Sequence, residues 1–524
     1  MAKTRKKRIE MKEKRAGFTV GTMICATVVS KLLGMLRQIM LAKRLGGGVY
    51  AVAFSAASKI PLSVFDILLS AAIVACFVPF YSDKLRRDEK NARLFSSSFF
   101  TLTLLTSTVI AVLGAAFSRQ ILSVCAPNLT EEAAVLGAKL LSVMFPMIIF
   151  TGAAYVLVGI MQSRGSFILP ALVSSVSNLA MIIYLAAAKN AESEKSMLVL
   201  SAIYVGSWAL QFVTLAVPLA IKKQFPKPTL RIRGKGLSPA LKMVPSVMAG
   251  AWLLPACSLL LTFFATFVSD SAVAEFDYSS AIWLMASGVL TYGVCNFILP
   301  SLSRIFSGGD EREFSSRLTK AVTASFALSL PVSVGLYLLS DNIVCMLYLR
   351  GNFGAESAIS CGEILRYLAF SVPFFCVYEV LSRGFFARKS AVPPMIASLV
   401  GIGAFAICGA VFVFGFDGGV RGLAVAYGIA YVAASLTLFI FTTTKIRGFF
   451  GKALLLPTAG IMASGALGAV FAAFLRRFFE KNAVNLSVFQ NFLVCAIVFS
   501  GECVVYLICI SILRGIARNK SKEV

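Results

Sequence analysis

Apolar segments long enough to cross a bilayer recur from near the N-terminus to near the C-terminus, and this feature constrains the chain most. About 20 apolar residues span the hydrocarbon core as a helix. Inside lipid each backbone N–H and C=O must find its partner within the structure, which selects helices or closed barrels. Such segments are read at 17–45, 49–81, 92–117, 133–162, 167–188, 196–221, 240–268, 272–306, 316–340, 358–388, 392–414, 420–446, 450–475 and 486–513. Charged residues make up 14% of the chain, against roughly 25% in a soluble domain, so its exterior needs lipid as solvent. No ten-residue alternating pattern suggests an outer-membrane barrel. The sequence predicts an all-α integral membrane protein of about fourteen transmembrane helices.

The net charge of +26 would suit a nucleic-acid binder, but its distribution argues against one. Of the fifty Lys and Arg, 35 fall at the termini and in the loops after the even-numbered segments. Ten fall in the opposite loops, and Lys31, Arg37, Lys59, Lys139 and Arg366 lie within segments. That asymmetry follows the positive-inside rule and places both termini in the cytoplasm. Residues 1–16 form a basic N-terminus resembling the n-region of a signal peptide, but the next segment carries Lys31 and Arg37 and reads as a retained helix. A second basic cluster, Lys222 to Lys242, contains a cytoplasmic linker at 222–239 that rests on anionic headgroups. The twelve Cys form no CxxC pair and there is no His, so the sequence predicts no metal or cofactor. Any proton chemistry would fall to carboxylates.

Two stretches repeat the same order of features. Phe77-Val78-Pro79 near the end of segment 2 is matched by Ile298-Leu299-Pro300 near the end of segment 8. Lys139 stands seven residues before Pro146, and Arg366 seven before Pro373. Gly159, Arg164 and Pro170 follow in one half; Gly384, Lys389 and Pro394 follow in the other. The repeat predicts two six-helix lobes, 17–221 and 240–446, related by a pseudo-two-fold axis along the membrane normal. Residues 447–513 add two helices and 514–524 a cytoplasmic tail. Alternating access, with a site between the lobes, is the mechanism this layout implies.

Charges within spans mark aqueous interiors or substrate paths. In segment 2, Ser55, Lys59, Ser63, Asp66 and Ser70 recur at helical spacing and form one polar stripe. Helix–helix hydrogen bonding would explain it, as would the lining of a cavity. Segment 1 carries Thr27, Lys31, Gly34 and Gln38, with Arg37 beside them. Lys31 sits deep and Arg37 closer to the outer end. Two cations with few carboxylates in this half suit an anionic group such as a pyrophosphate, which Arg grips bidentately and Lys as a point charge. Lys31, Arg37, Lys59, Asp66, Ser55, Ser63 and Arg366 are therefore the candidate substrate-binding residues. Glu379, four residues before Arg383, is the candidate ion carrier. Pro61, Pro146, Pro255, Pro331 and Pro373 fall mid-span, where they kink helices. There is no phosphate-binding loop and no nucleophile–base set, so the expected class is a transporter and not an enzyme.

Ser30 to Arg37, Ala53 to Pro61, Phe77-Val78-Pro79, Leu299-Pro300-Ser301-Leu302-Ser303, Leu349-Arg350-Gly351-Asn352-Phe353 and Phe385-Phe386-Ala387-Arg388 resemble the MurJ family, over about the first 400 residues. The resemblance implies the MOP exporter fold, in which two further helices serve a groove for a polyprenyl tail. The implied activity is flipping of lipid II, an undecaprenyl-pyrophosphate-linked peptidoglycan precursor, in the bacterial inner membrane. Implied partners are that lipid, membrane lipids and cell-wall synthesis or division proteins, with no nucleic acid. Lys31 and Arg37 fall where the family has two cavity arginines. Gln38 replaces a usual Asp; Phe65, Asp66 and Ser70 replace an Arg pair and Glu; Ala281 and Leu284 replace an Arg and a Glu. Those departures keep a flippase for another polyprenyl-linked oligosaccharide as the alternative, with a multidrug or cation antiporter behind it.

Overall fold

The structure is a computed structural model that describes residues 2–70, 73, 77–188, 193–229, 248–479 and 482–520. Most of the basic linker and the start of segment 7 lie outside the described residues, as do the side chains of residues 2–21, 23–24, 292–294, 296–297, 299–300, 307 and 514–520. The described chain is helical. In order the helices are α1 (Ala2–Leu45), α2 (Val49–Phe65), α3 (Val78–Arg87), α4 (Glu89–Ala116), α5 (Ser118–Cys125) and α6 (Glu131–Met144). Then come α7 (Met147–Ser163), α8 (Ile168–Ala187), α9 (Glu194–Ile221), α10 (Leu253–Ala265), α11 (Ala272–Ser307) and α12 (Glu311–Tyr348). The last six are α13 (Ala355–Ala369), α14 (Val372–Ala387), α15 (Val392–Ala410), α16 (Gly419–Lys445), α17 (Lys452–Arg477) and α18 (Val488–Lys520).

Each of the fourteen apolar segments contains helix. Among the described residues eleven spans are long and apolar enough to cross a membrane, or twelve if the bent pair α13–α14 is one span. Helix α10, at 13 residues, is shorter than a full crossing. The chain is thus a multi-pass membrane protein.

Caps fix several helix starts. Asp88 accepts from the Lys90 amide at 2.9 Å to open α4, and Ser193 accepts from the Ser196 amide at 3.2 Å to open α9. At α12, Asp310 accepts from the Glu313 amide at 2.8 Å. Proline placement explains the breaks. Pro373 has no N–H for the Ala369 carbonyl, which accepts instead from Ser333 Oγ at 2.7 Å; the chain bends by 47° there. Pro146 starts α7 after the turn at Phe145. Pro61 and Pro331 lie inside continuous helices, and Pro255 sits in the first turns of α10.

The chain divides into two compact units. One holds residues 1–41, 57–122 and 134–248; the other holds 42–56, 123–133 and 249–524. The first is pinned by Phe77, whose ring lies 5.2 Å from Tyr81, 5.8 Å from Phe95 and 5.0 Å from Phe99. In the second, Trp283 packs 5.1 Å from Phe375 and 5.6 Å from both Tyr427 and Tyr431. Helices α17 and α18 belong to the second unit and pack on each other and on α12.

Lipid gives no hydrophobic drive between helices, so van der Waals fit does the holding and small residues sit at close approaches. A Cβ at Gly114 of α4 would overlap the ring of Phe145, which is 1% exposed at the α6–α7 turn. Gly114→Leu is expected to cost about 1–3 kcal/mol by overpacking. A lowered melting temperature of the detergent-solubilised chain checks this, and an unchanged one contradicts it.

Candidate functional site

Helix α1 meets α8 through a polar seam within the first unit. Ser30 Oγ donates to the Ala171 carbonyl at 3.0 Å and lies 2.5 Å from Ser175 Oγ. Asn178 Nδ2 donates to the Ser30 carbonyl at 3.3 Å and is the nearest neighbour of Gly34. At the position next to Asn178, Gln211 of α9 donates to Ser177 at 2.6 Å. The small residues Ser30 and Gly34 let α8 approach, and Arg37 continues their face one turn on. The Arg37 Nε is buried and has no hydrogen-bond partner among the described residues. Lys31, adjacent to Ser30, is half-buried, and no described carboxylate forms an ion pair with it.

The stripe on α2 divides between units. Ser55, 3% exposed, donates to Asp277 Oδ2 of α11 at 3.3 Å within the second unit. Lys59 is half-buried, Ser63 is 5% exposed, and both belong to the first unit with Asp66. Beyond Phe65 the helix loosens into a π-turn, Asp66–Ser70. There Asp66 lies within reach of Ser70, and Ser70 within reach of Tyr155 of α7. Tyr155 in turn packs edge-on against Phe65 at 5.0 Å. Single π-turns inside helices concentrate at functional positions, because the wider turn turns side chains and frees backbone groups. Asp66, Ser70 and Tyr155 form a polar cluster that the segment-2 spacing predicted only in part.

Other sequence candidates lie elsewhere. Arg366 of α13 is ion-paired to Asp341 of α12 at 2.5 Å, and its Nε donates to Ser340 at 3.3 Å. Glu379 and Arg383, four residues apart on α14, pair at 3.3 Å. Lys139, matched to Arg366 in the repeat, pairs with Glu194 at 2.6 Å, with both side chains about half exposed. Lys31, Arg37, Lys59, Ser63 and Asp66 fall in the first unit, while Ser55, Arg366 and Glu379 fall in the second. Tyr155, Asp277 and Asp341 were missed because their partners are distant in sequence. The acids Glu275 and Asp277 at the start of an apolar segment were the available signal. Among the described residues no group of three or more Cys, Asp or Glu is placed to hold a metal.

The fold matches a solved structure described as "Lipid II flippase MurJ, inward closed conformation" with a TM-score of 0.74, at 23% identity over 94% of this chain and 99% of that one. It also matches an inward-facing multidrug resistance MATE family transporter, with a TM-score of 0.68 at 14% identity over 80% of this chain and 95% of the other. These two likenesses show that the chain has the multi-pass helical fold of both transporters. A family profile described as "Lipid II flippase MurJ" matches residues 41–494, so the chain belongs to the MurJ family. Similar curated proteins include the probable lipid II flippases of Thermotoga maritima, 26% identical over 90% of this chain and 92% of that protein, and of Rhizobium tropici, 25% identical over 84% of each.

Proposed function

We propose that this chain moves lipid II from the cytoplasmic to the outer leaflet of the bacterial inner membrane by alternating access, with both termini cytoplasmic. Family membership across residues 41–494 supports the activity. The observation that carries the site assignment is the buried Arg37 Nε without a partner among the described residues. An unmet buried donor costs about 1–3 kcal/mol, a cost recovered when a ligand supplies the acceptor. A pyrophosphate is such an acceptor, and it suits a guanidinium with two ammonium groups nearby in sequence.

In this reading Arg37 grips the phosphates and Lys31 and Lys59 neutralise them. Asp66 tunes those cations and Ser63 completes the polar face within the first unit, whereas Ser55 belongs to the second unit, where it donates to Asp277. Arg366, already engaged by Asp341, acts locally, and the Glu379–Arg383 pair is the candidate for ion coupling. The polyprenyl tail stays in lipid along the exposed apolar faces of α17 and α18, where Leu456, Val470 and Leu507 stand.

Asp66→Asn keeps a hydrogen-bonding group beside Ser70 but removes the charge. Flipping is expected to fall by about tenfold, equivalent to roughly 1.4 kcal/mol. Unchanged flipping by this variant in vesicles removes Asp66 from the site. Depletion of the chain in its host tests the substrate. Accumulated lipid II is the expected result. Another accumulated polyprenyl-linked sugar, with lipid II constant, would instead support the second reading, which Gln38, Ala281 and Leu284 favour.

A further inference from the structure

We propose that a recess at the ends of α12 and α17, within the second unit, binds the phosphodiester of an anionic phospholipid. The recess has a volume of about 380 Å³ and is lined by Asp341, Asn342, Arg476, Arg477, Phe479 and Asn482 among others. It is separate from the cations of α1 and α2, which belong to the first unit.

Charge selects an anion. Asp341 is the carboxylate shared by Arg366 at 2.5 Å and Arg476 at 3.4 Å, so one negative charge meets two guanidiniums. Arg477 adds another positive charge, and no described carboxylate pairs with it. Arg476 retains 35% side-chain exposure, which leaves part of its fork open to a ligand. Two guanidiniums held at one rim match the oxygens of a phosphate better than those of a halide or a single carboxylate. The amides of Asn342 and Asn482 add polar surface to the lining.

Depth and surroundings select a lipid as the source. The arginines occupy the last turn of α17, a helix of 26 residues that spans roughly 39 Å at about 1.5 Å per residue. They therefore stand at headgroup level, beyond a hydrocarbon core of about 30 Å. On the same turn Phe474 is 55% exposed and Phe478 is 70% exposed, with their rings 5.1 Å apart. A soluble phosphate gains nothing from such an apolar border. A phospholipid lays its chains along it while the phosphate enters the recess.

The test places a reporter at the site. Phe479→Trp is made in the full chain and reconstituted in phosphatidylcholine vesicles that carry brominated phosphatidylglycerol or brominated phosphatidylcholine. Quenching is read as the difference from the parent, which carries Trp208, Trp252 and Trp283. The expected result is about fivefold tighter association of the anionic lipid. Arg477→Gln brings that ratio close to one, while Arg477→Lys, which restores the charge without the fork, keeps part of it. Asn482→Asp, at an exposed position, lowers it independently should the arginine variant fail to fold. A ratio near one in the reporter protein, or one unchanged by both Arg477→Gln and Asn482→Asp, overturns the proposal. Loss of the preference on adding millimolar inorganic phosphate also overturns it, because the recess would then take the free anion.

Discussion

Arg37→Ala is expected to abolish complementation of a strain depleted of its own lipid II flippase, with membrane levels of the protein unchanged. Lys31→Ala is expected to do the same. A hydrogen bond to a charged group contributes about 1.5–3 kcal/mol, so loss of the guanidinium slows transport by roughly 10- to 150-fold. Folding should tolerate the change, because the native Arg37 Nε makes no described hydrogen bond that its removal would break. Arg37→Lys should recover part of the activity, since it restores the charge without the planar fork. Full complementation by both alanine variants would remove these cations from the mechanism.

The second large effect concerns folding. Gly46, in the turn between α1 and α2, has φ +63°, and Gly351, after α12, has φ +64°. A Cβ on Gly46 would fall on the Asn352 carbonyl, and one on Gly351 on the Lys43 carbonyl. The two turns are tied by the Asn352 amide donating to Lys43 O at 2.9 Å and by Asn352 Nδ2 donating to Arg44 O at 3.0 Å. Tyr278 OH donates to Gly46 O at 3.0 Å and locks the joint from α11. Neither backbone can retreat without breaking these bonds. Gly351→Val and Gly46→Val therefore combine left-handed strain with overpacking, for an expected loss of about 2–5 kcal/mol each. Folded yield and melting temperature in detergent measure it. Asn352→Ala, which keeps the backbone bond, should cost about 1 kcal/mol. A Gly351→Val protein that melts like the parent would contradict the packing described.

The same joint shows what the sequence can and cannot express. Leu349-Arg350-Gly351-Asn352-Phe353 was legible as a family resemblance, yet its reason, a clasp on residues 43–46, involves partners some 300 positions apart. Helices were legible because lipid imposes one solution on any long apolar run. The α13–α14 bend was legible in Pro373, but the Ser333 hydroxyl that satisfies the freed carbonyl was not. The spacing of Ser55, Lys59, Ser63, Asp66 and Ser70 gave one helical stripe, yet the π-turn at Asp66–Ser70 leaves no such signature. Tyr155 reaches Ser70 from another segment, and Asp277 meets Ser55 from 222 positions away. Periodicity reports which residues share a face; it does not report what that face meets. For that reason Arg366 reads in sequence as one more cation within a span, whereas in the structure Asp341 claims it.

Transport of fluorescently labelled lipid II in vesicles containing only this chain tests the central claim most directly. Labelled lipid in the inner leaflet becomes accessible to an external quencher only after it crosses. The parent chain is predicted to raise the accessible fraction well above that of protein-free vesicles, and Arg37→Ala to hold it at the protein-free level. Equal crossing with parent, Arg37→Ala and no protein would contradict the assigned activity; equal crossing with parent and variant, above background, would contradict the assigned site.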